Sequence, residues 1–251
     1  RGAFGRKSKE APSGPLQTVL LHRTIRYLRQ IETEQAEDSA ALWSGRADEM
    51  AMQLNDGTMS EEMTLGAYAW GGVWYQTLAP VFTSQEARAA LQAAASRHAK
   101  KKGGRRSGND DLERRSVVVL GSSIGFEAYF AALTFGVPTV GVELLPSLVD
   151  MSEEIRRRMG VADDLVRFVC SDALAFELPT STALVYVDDT AWDVPVIERL
   201  AQRLARVLHA GTVVVHNTVH GYSGASFHRI ATFAVGTSWN AAHPVYVELV
   251  V

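Results

Sequence analysis

The sequence predicts an α/β fold in which a mostly parallel β-sheet fills the second half of the chain. From residue 116 onward, short β-branched or apolar runs alternate with helical stretches, which is typical of a parallel sheet with helices on both faces. The last two apolar runs have no helix between them, so they predict an antiparallel hairpin. The sheet is therefore expected to end in strands of opposite direction.

Five strands and three helices are predicted to alternate before this hairpin. The strands are predicted at residues 116–120, 139–143, 166–170, 183–188 and 212–216. The helices are predicted at residues 126–135, 147–159 and 194–208, and the hairpin strands at 230–238 and 245–251. One face of the third helix carries Ile197, Leu200, Leu204 and Val207, and Gly211 follows its end.

The chain before residue 116 has a different composition. Residues 1–15 are basic and rich in Gly and Pro, which indicates a mobile tail. Residues 16–96 predict an N-terminal helical lobe, with helices at 16–32, 39–54 and 84–98, and Ser84 is the expected N-cap of the last one. Residues 97–115 form a basic linker, and residues 116–251 form the sheet domain.

Composition excludes several kinds of protein. The formal net charge is −3 over 251 residues, so no overall charge excess requires a nucleic-acid partner. Cys170 is the single cysteine, which excludes a disulfide framework and a cysteine-built metal site, and a reducing compartment is expected. No apolar run approaches the roughly 18 residues that a membrane span needs. No metal is expected either, because metal-ligand spacing is lacking among His216, His220, His228 and His243.

A glycine-containing turn follows the first predicted strand and leads into a helix. Gly121 permits a tight turn, and Gly125 permits backbone to approach a ligand closely. Ser122 and Ser123 are small and keep the space above the turn open. The pattern predicts a nucleotide-type cofactor site, but by itself it does not separate NAD from S-adenosylmethionine, nor either of them from a purely structural turn.

Two acidic residues follow the next strands. Glu143 ends the second strand, about twenty residues after the turn, where a carboxylate can bind a ribose diol. Asp172, with Ala173 beside it, follows the third strand, where it can accept a hydrogen bond from an adenine amino group. Three features at successive strand ends predict one ligand crevice. A third-strand acid favours methyltransferases over dinucleotide dehydrogenases.

The fourth strand ends at Tyr186 and Val187, and an Asp-Asp-Thr-Ala-Trp segment begins at Asp188. This segment resembles the Asn-Asn-Phe-Ala-Phe motif of the non-SET histone lysine methyltransferases, the disruptor-of-telomeric-silencing family. The turn from Gly121 to Gly125 resembles that family's Gly-Ser-Gly-Val-Gly, and the residues ending at Glu143 match its Gly-Val-Glu. The resemblance covers roughly residues 64–251 and also includes Ser171-Asp172, Ser238-Trp239 and Pro244-Val245-Tyr246.

The resemblance implies a Rossmann-like, seven-stranded class I methyltransferase sheet with residues 116–251 as the catalytic domain. It implies S-adenosylmethionine as cofactor, with S-adenosylhomocysteine as product, and Gly66 in a cofactor loop. The implied acceptor is a lysine in the core of histone H-three on nucleosomes, in the nucleus. By resemblance, Trp239, Tyr186 and Tyr246 would line a lysine channel, and Asp188 would touch the amine or the methionine part of the cofactor.

Alternatives remain at this stage. A class I methyltransferase acting on a small molecule or a non-histone protein is the main one. A second is a cofactor-fold protein without catalysis, because Val119, Ser123 and Asp188 depart from the family's motifs. The basic linker is either a solvated connection or a surface for DNA phosphates. Its cations are Arg97, Lys100, Lys101, Lys102, Arg105 and Arg106.

Overall fold

A computed structural model describes residues 15–37, 80–82, 84–85, 87–89, 116–237 and 240–251. The helices are α1 (Pro15–Glu37), α2 (Phe126–Phe135), α3 (Pro146–Met159) and α4 (Val194–Val207). The strands are β1 (Ser116–Leu120), β2 (Thr139–Glu143), β3 (Val166–Cys170), β4 (Thr182–Val187), β5 (Val213–His216), β6 (Phe227–Val235) and β7 (His243–Val250). Within these residues, no helix combines the length and the apolar character that crossing a membrane requires.

The seven strands form one sheet in the order β3-β2-β1-β4-β5-β7-β6. Strands β1 to β5 pair in parallel, whereas β7 pairs antiparallel with β5 and with β6. This arrangement confirms the predicted fold class. The chain crosses over between β3 and β4, so the carboxyl ends of β1 and β4 are neighbours at the centre of the sheet, where a crevice opens.

Helices cover both faces of the sheet because the central strands are apolar on both sides. Every residue of β1 and of β4 is buried. On one face, Val117, Val119 and Leu184 pack in a cluster with residues of α1, α2 and α3. On the opposite face, Val118 and Val185 pack with residues of α4. Continuous apolar runs, rather than alternating ones, are what strands covered on both faces require.

The N-terminal helix packs directly on the sheet domain. Ile25 and Leu28 of α1 are buried in the same cluster as α2 and α3, and the Tyr27 hydroxyl accepts a 2.6 Å hydrogen bond from Arg158. The helix extends five residues beyond the predicted end at residue 32. The predicted N-cap at Ser84 is confirmed, because its Oγ accepts a 3.1 Å hydrogen bond from the Ala87 N–H. The predicted helix at 39–54 and the domain boundaries before residue 116 lie outside the described residues.

Strand β6 lies three residues earlier in the chain than the sequence predicted. It begins at Phe227, which pairs with Val250, rather than at residue 230, and it ends at Val235 rather than at residue 238. The exposed polar residues His228 and Arg229 hid the start of the strand, because β6 lies at the edge of the sheet and one of its faces is solvated. An irregularity in the register between Arg229 and Ala231 further interrupts the alternation.

The Phe168 ring fills a gap between two glycines below the crevice. A Cβ added to Gly141 would lie 2.5 Å from Phe168 Cδ1, and one added to Gly125 would lie 2.5 Å from its Cζ. Gly141 has no left-handed φ, so at this position the absence of a side chain serves close packing alone. The Phe168 ring therefore packs against both the turn after β1, at Gly125, and strand β2, at Gly141.

Gly141→Ala is expected to lower the free energy of unfolding by about 1–3 kcal/mol, because it overpacks this contact. Adding Phe168→Leu should relieve part of the loss, giving an interaction energy of about 1 kcal/mol in a double-mutant cycle measured by urea denaturation. Gly160→Ala is the control, since nothing lies within 4 Å of its added Cβ. An interaction energy with Phe168→Leu that is the same for Gly141→Ala and for Gly160→Ala would contradict the close contact between Gly141 and Phe168.

Candidate functional site

The turn after β1 has a backbone that explains its composition. Gly121, Ser123 and Gly125 adopt positive φ angles of 76°, 46° and 95°. The N–H groups of Gly121 and Ser122 both donate to the Val142 carbonyl, at 2.9 and 3.0 Å, so the turn is fastened to β2. Ser123 adopts a conformation that glycine adopts without steric cost and other residues adopt at a cost of roughly 1 kcal/mol.

Glu143 connects this turn to the end of the second strand. Its Oε2 accepts a 2.8 Å hydrogen bond from the Ser123 N–H. Its Oε1 accepts from the N–H groups of Leu144 at 2.8 Å and Leu145 at 3.0 Å. The residue is only 8% exposed. The backbone thus holds a buried carboxylate at the crevice, where the sequence predicted a ribose ligand.

The third strand end lies beside the second. The Ser171 N–H donates to the Glu143 carbonyl at 2.9 Å, and the Asp172 Oδ1 accepts from the Leu174 N–H at 2.7 Å. Asp172 is partly exposed, whereas Ala173 is buried. The structure therefore brings together three of the predicted features: the turn, Glu143 and the Asp172 segment.

An apolar cluster lies between these strand ends and the start of α4. Val196 is fully buried, and packed against it are the partly exposed side chains of Leu144, Leu174 and Trp192. The Trp192 ring lies over the first turn, with its Cζ2 3.1 Å from the position of a Gly121 Cβ. Sequence reasoning did not select Trp192 as a site residue, although an aromatic three positions after the acid pair was an available signal.

Asp188 lies at the carboxyl end of β4, next to the turn. Its N–H donates to the Leu120 carbonyl at 2.9 Å. Its Oδ1 accepts hydrogen bonds from the Thr190 hydroxyl at 3.1 Å and from the Asn217 Nδ2 at 3.2 Å. Burial raises the pKa of Asp188 to about 6; hydrogen bonding to Thr190 opposes this rise, and the nearby Glu143 charge adds to it. The group therefore titrates just below neutral pH.

Asp189 has a different environment from its neighbour. It is 1% exposed, and its Oδ1 accepts a 2.8 Å hydrogen bond from the Asn217 N–H. Its Oδ2 is buried and has no hydrogen-bond partner among the residues that the structure describes. Burial raises the pKa of Asp189 to about 8, opposed by the Asn217 N–H and reinforced by Asp188. Asp189 is thus mainly protonated at neutral pH. The sequence did not single it out from Asp188, since burial separates them.

The two predicted channel tyrosines lie on opposite faces of the sheet. Tyr186 is fully buried, and its ring stacks on Phe82 at a centroid distance of 5.6 Å. Tyr246 lies opposite His216 in the β5–β7 register, stacks on it at 5.4 Å, and has the Arg229 guanidinium 4.3 Å from its ring centroid. Tyr186 pairs with Val215 and Tyr246 pairs with His216, one residue apart in register, so the two side chains point to opposite faces of the sheet. Their role in a channel stays a prediction.

Several predicted residues cannot be placed. Gly66, Trp239 and the basic linker from Arg97 to Arg106 lie outside the described residues. Their roles in a cofactor loop, a channel wall and DNA contacts stay predictions. Within the part of the chain that is described, no group of His, Cys, Asp and Glu side chains is arranged to hold a metal ion.

The strand order and the antiparallel C-terminal hairpin are those of the class I S-adenosylmethionine-dependent methyltransferase fold. No protein-family model and no curated protein matches the sequence.

Similar solved structures include an RNA methyltransferase from Salinibacter ruber in complex with S-adenosyl-L-homocysteine, at 25% identity and a TM-score of 0.45, covering 55% of this chain and 82% of that one. Magnesium protoporphyrin IX methyltransferase from Synechocystis PCC 6803 with bound SAM is 11% identical, with a TM-score of 0.44 and coverage of 74% and 88%. TrmN from Thermus thermophilus is 16% identical, with a TM-score of 0.45 and coverage of 65% and 48%.

Glu143→Gln is expected to weaken binding of S-adenosylhomocysteine at least about tenfold in isothermal titration calorimetry. The amide NH₂ would face a backbone N–H whose hydrogen bond a carboxylate oxygen now accepts, so the turn would lose a hydrogen bond between the Ser123 N–H and the side chain at position 143. Glu154→Gln, on the exposed side of α3 where Glu154 pairs with Arg157 and Arg158, is the matched control. Equal affinities of the two variants for S-adenosylhomocysteine would show that Glu143 does not contribute to the cofactor site.

Asp189→Asn is expected to flatten the pH dependence of stability. A carboxyl whose pKa rises from 3.8 to about 8 on folding makes the native state bind more protons, so wild-type stability falls between about pH 4 and pH 8. The part of this loss that comes from Asp189, and that Asp189→Asn should remove, is at most about 1.4 kcal/mol per pH unit. Urea denaturation at several pH values measures it, with exposed Asp163→Asn as control. If the unfolding free energy of Asp189→Asn depends on pH as steeply as that of the wild type, the raised pKa of Asp189 is wrong.

Proposed function

We propose that this chain is an S-adenosylmethionine-dependent methyltransferase. The observation that carries the proposal is the convergence of the turn at Gly121, the Glu143 carboxylate and the Asp188–Asp189 pair at one edge of a class I sheet. In an open parallel sheet, this edge is where ligands bind. A purely structural turn does not require buried acids at two further strand ends.

The residues present fit the cofactor. Gly121 leaves open the space that a Cβ would fill between the Asp188 carbonyl and the Trp192 ring. Glu143 offers a positioned carboxylate to a ribose diol, and Asp172 lies at the next strand end for a purine amino group. The apolar side chains of Leu144 and Trp192 suit a flat purine face.

When bound, S-adenosylmethionine supplies a methyl group on a sulfonium sulfur that a nucleophile can attack in line. The protein's part is to position the acceptor and to limit the access of water. Asp188 is the titratable group next to the turn and has a partly exposed side chain, so it is suited to hold the acceptor. Protonated Asp189 behind it adds no second negative charge at neutral pH.

The proposed acceptor is a small molecule or a non-histone protein. Support comes from the tyrosines, since Tyr186 is fully buried and Tyr246 points to the opposite face of the sheet, so the two side chains do not face one another as a lysine channel walled by both would require. A histone lysine on nucleosomes, with a nuclear location and DNA contacts through the basic linker, is the second hypothesis. It depends on the motif similarity around Asp188 and Glu143.

Transfer of labelled methyl groups from S-adenosylmethionine to a small-metabolite pool, a histone-free protein extract, free histones and intact nucleosomes tests these hypotheses side by side. Label in the first two samples is the expected result. Label in a core histone, greatest in nucleosomes, would replace the proposed acceptor by the histone lysine.

Gly121→Arg is the inactive comparison, because its side chain would fill the space over the turn and abolish cofactor binding. Absence of both labelling and S-adenosylhomocysteine binding in the wild-type protein would overturn the methyltransferase proposal. Labelling by the Gly121→Arg variant at the wild-type rate would show that the turn is not the cofactor site.

A further inference from the structure

Asn217, the first residue after β5, contacts the whole carboxyl end of β4. Its Nδ2 lies 3.3 Å from the Val187 carbonyl and 3.2 Å from the Asp188 Oδ1. Its side-chain amide lies 3.5 Å from the Tyr186 hydroxyl. Its backbone N–H donates to the Asp189 Oδ1 at 2.8 Å. One residue, 4% exposed, therefore touches four consecutive residues of the neighbouring strand end.

These contacts determine which oxygen of Asp188 is available. Both side-chain donors that reach the carboxylate, Thr190 and Asn217, bind Oδ1. Among the described residues no side-chain donor binds Oδ2, and the residue is partly exposed. The Thr190 side chain and the Asn217 amide hold Oδ1, the Thr190 backbone also binds the carboxylate, and the Asp188 backbone is fixed to Leu120. The carboxylate therefore has one orientation, in which Oδ2 is the oxygen without a side-chain donor among the described residues.

We propose that Asn217 is a positioning residue that directs the Asp188 Oδ2 toward the methyl acceptor and so restricts acceptors to those with an N–H or O–H donor. This inference rests on the proposed function, since it presumes an acceptor at Asp188. An ionised carboxylate attracts ammonium and hydroxyl groups and repels a carboxylate acceptor. Acceptors that form methyl esters are therefore excluded.

Within the described part of the chain, the titratable groups that face Asp188 are acidic or neutral. Glu143 at the end of β2 and Asp189 next in the chain are the acids, and Tyr186 of β4 is a phenol. Burial and Glu143 raise the pKa of Asp188, and hydrogen bonds from the side chain and the backbone of Thr190 oppose the rise. The Asn217 amide also reaches Oδ1, at 3.2 Å, so its removal should raise the Asp188 pKa further.

The test follows the Asp188 carboxyl carbon by NMR in the S-adenosylhomocysteine complex, with the signal assigned by its loss in Asp188→Asn. Titration with n-butylammonium is expected to shift this signal strongly, whereas tetramethylammonium, which has the same charge and no N–H, should shift it markedly less. In Asn217→Ala, the Asp188 pKa should rise and n-butylammonium should bind about tenfold more weakly, with S-adenosylhomocysteine affinity within threefold of wild type.

Thr190→Val is a second variant for the case in which Asn217→Ala does not fold, since Asn217 is buried. It removes the other donor to Oδ1 and should raise the Asp188 pKa in the same direction, whereas Thr232→Val, exposed on β6, should not. An unchanged Asp188 pKa in Asn217→Ala, or equal shifts from both ammonium ions, overturns the inference. Failure of wild type to bind S-adenosylhomocysteine overturns the proposed function instead, and the free protein's Asp188 pKa still tests Asn217.

Discussion

The Glu143 carboxylate accepts hydrogen bonds from three backbone N–H groups that belong to two loops, and this interaction holds the candidate site together. Its Oε2 binds the turn at Ser123, and its Oε1 binds the first residues after β2. Ser123 has a left-handed backbone that it adopts only at a cost, so a strong external hydrogen bond helps to hold the turn in this shape. The crevice depends on that shape.

The neighbouring acids Asp188 and Asp189 show how position alone gives one residue type two chemical states. Asp188 at the rim has two side-chain donors on one oxygen and a pKa near 6. Asp189 is enclosed, its Oδ2 has no hydrogen-bond partner among the described residues, and its pKa is near 8 because burial disfavours its charged form. At neutral pH, this pair therefore consists of one carboxylate and one carboxylic acid, and Asn217 binds both of them.

The opposite faces of Tyr186 and Tyr246 limit what the motif similarity supports. Motifs around Gly121, Glu143 and Asp188 concern how a class I sheet holds its cofactor and the start of the acceptor site. Acceptor identity depends on the walls around that site, and among the described residues Tyr186 and Tyr246 lie on opposite faces of the sheet. Features that hold a cofactor are common to many methyltransferases, whereas the acceptor pocket is built from segments that vary.

The sequence by itself determined the element order, five parallel strands, the closing hairpin, and the acids at three strand ends. It did so because strands covered on both faces must be apolar throughout and because polar residues just after them stand out. Tertiary structure alone decided the roles of Asp189, Asn217 and Trp192. Burial, the pKa of a carboxyl and the choice between its two oxygens arise from groups distant in the chain, as the 28-residue separation of Asp189 and Asn217 shows.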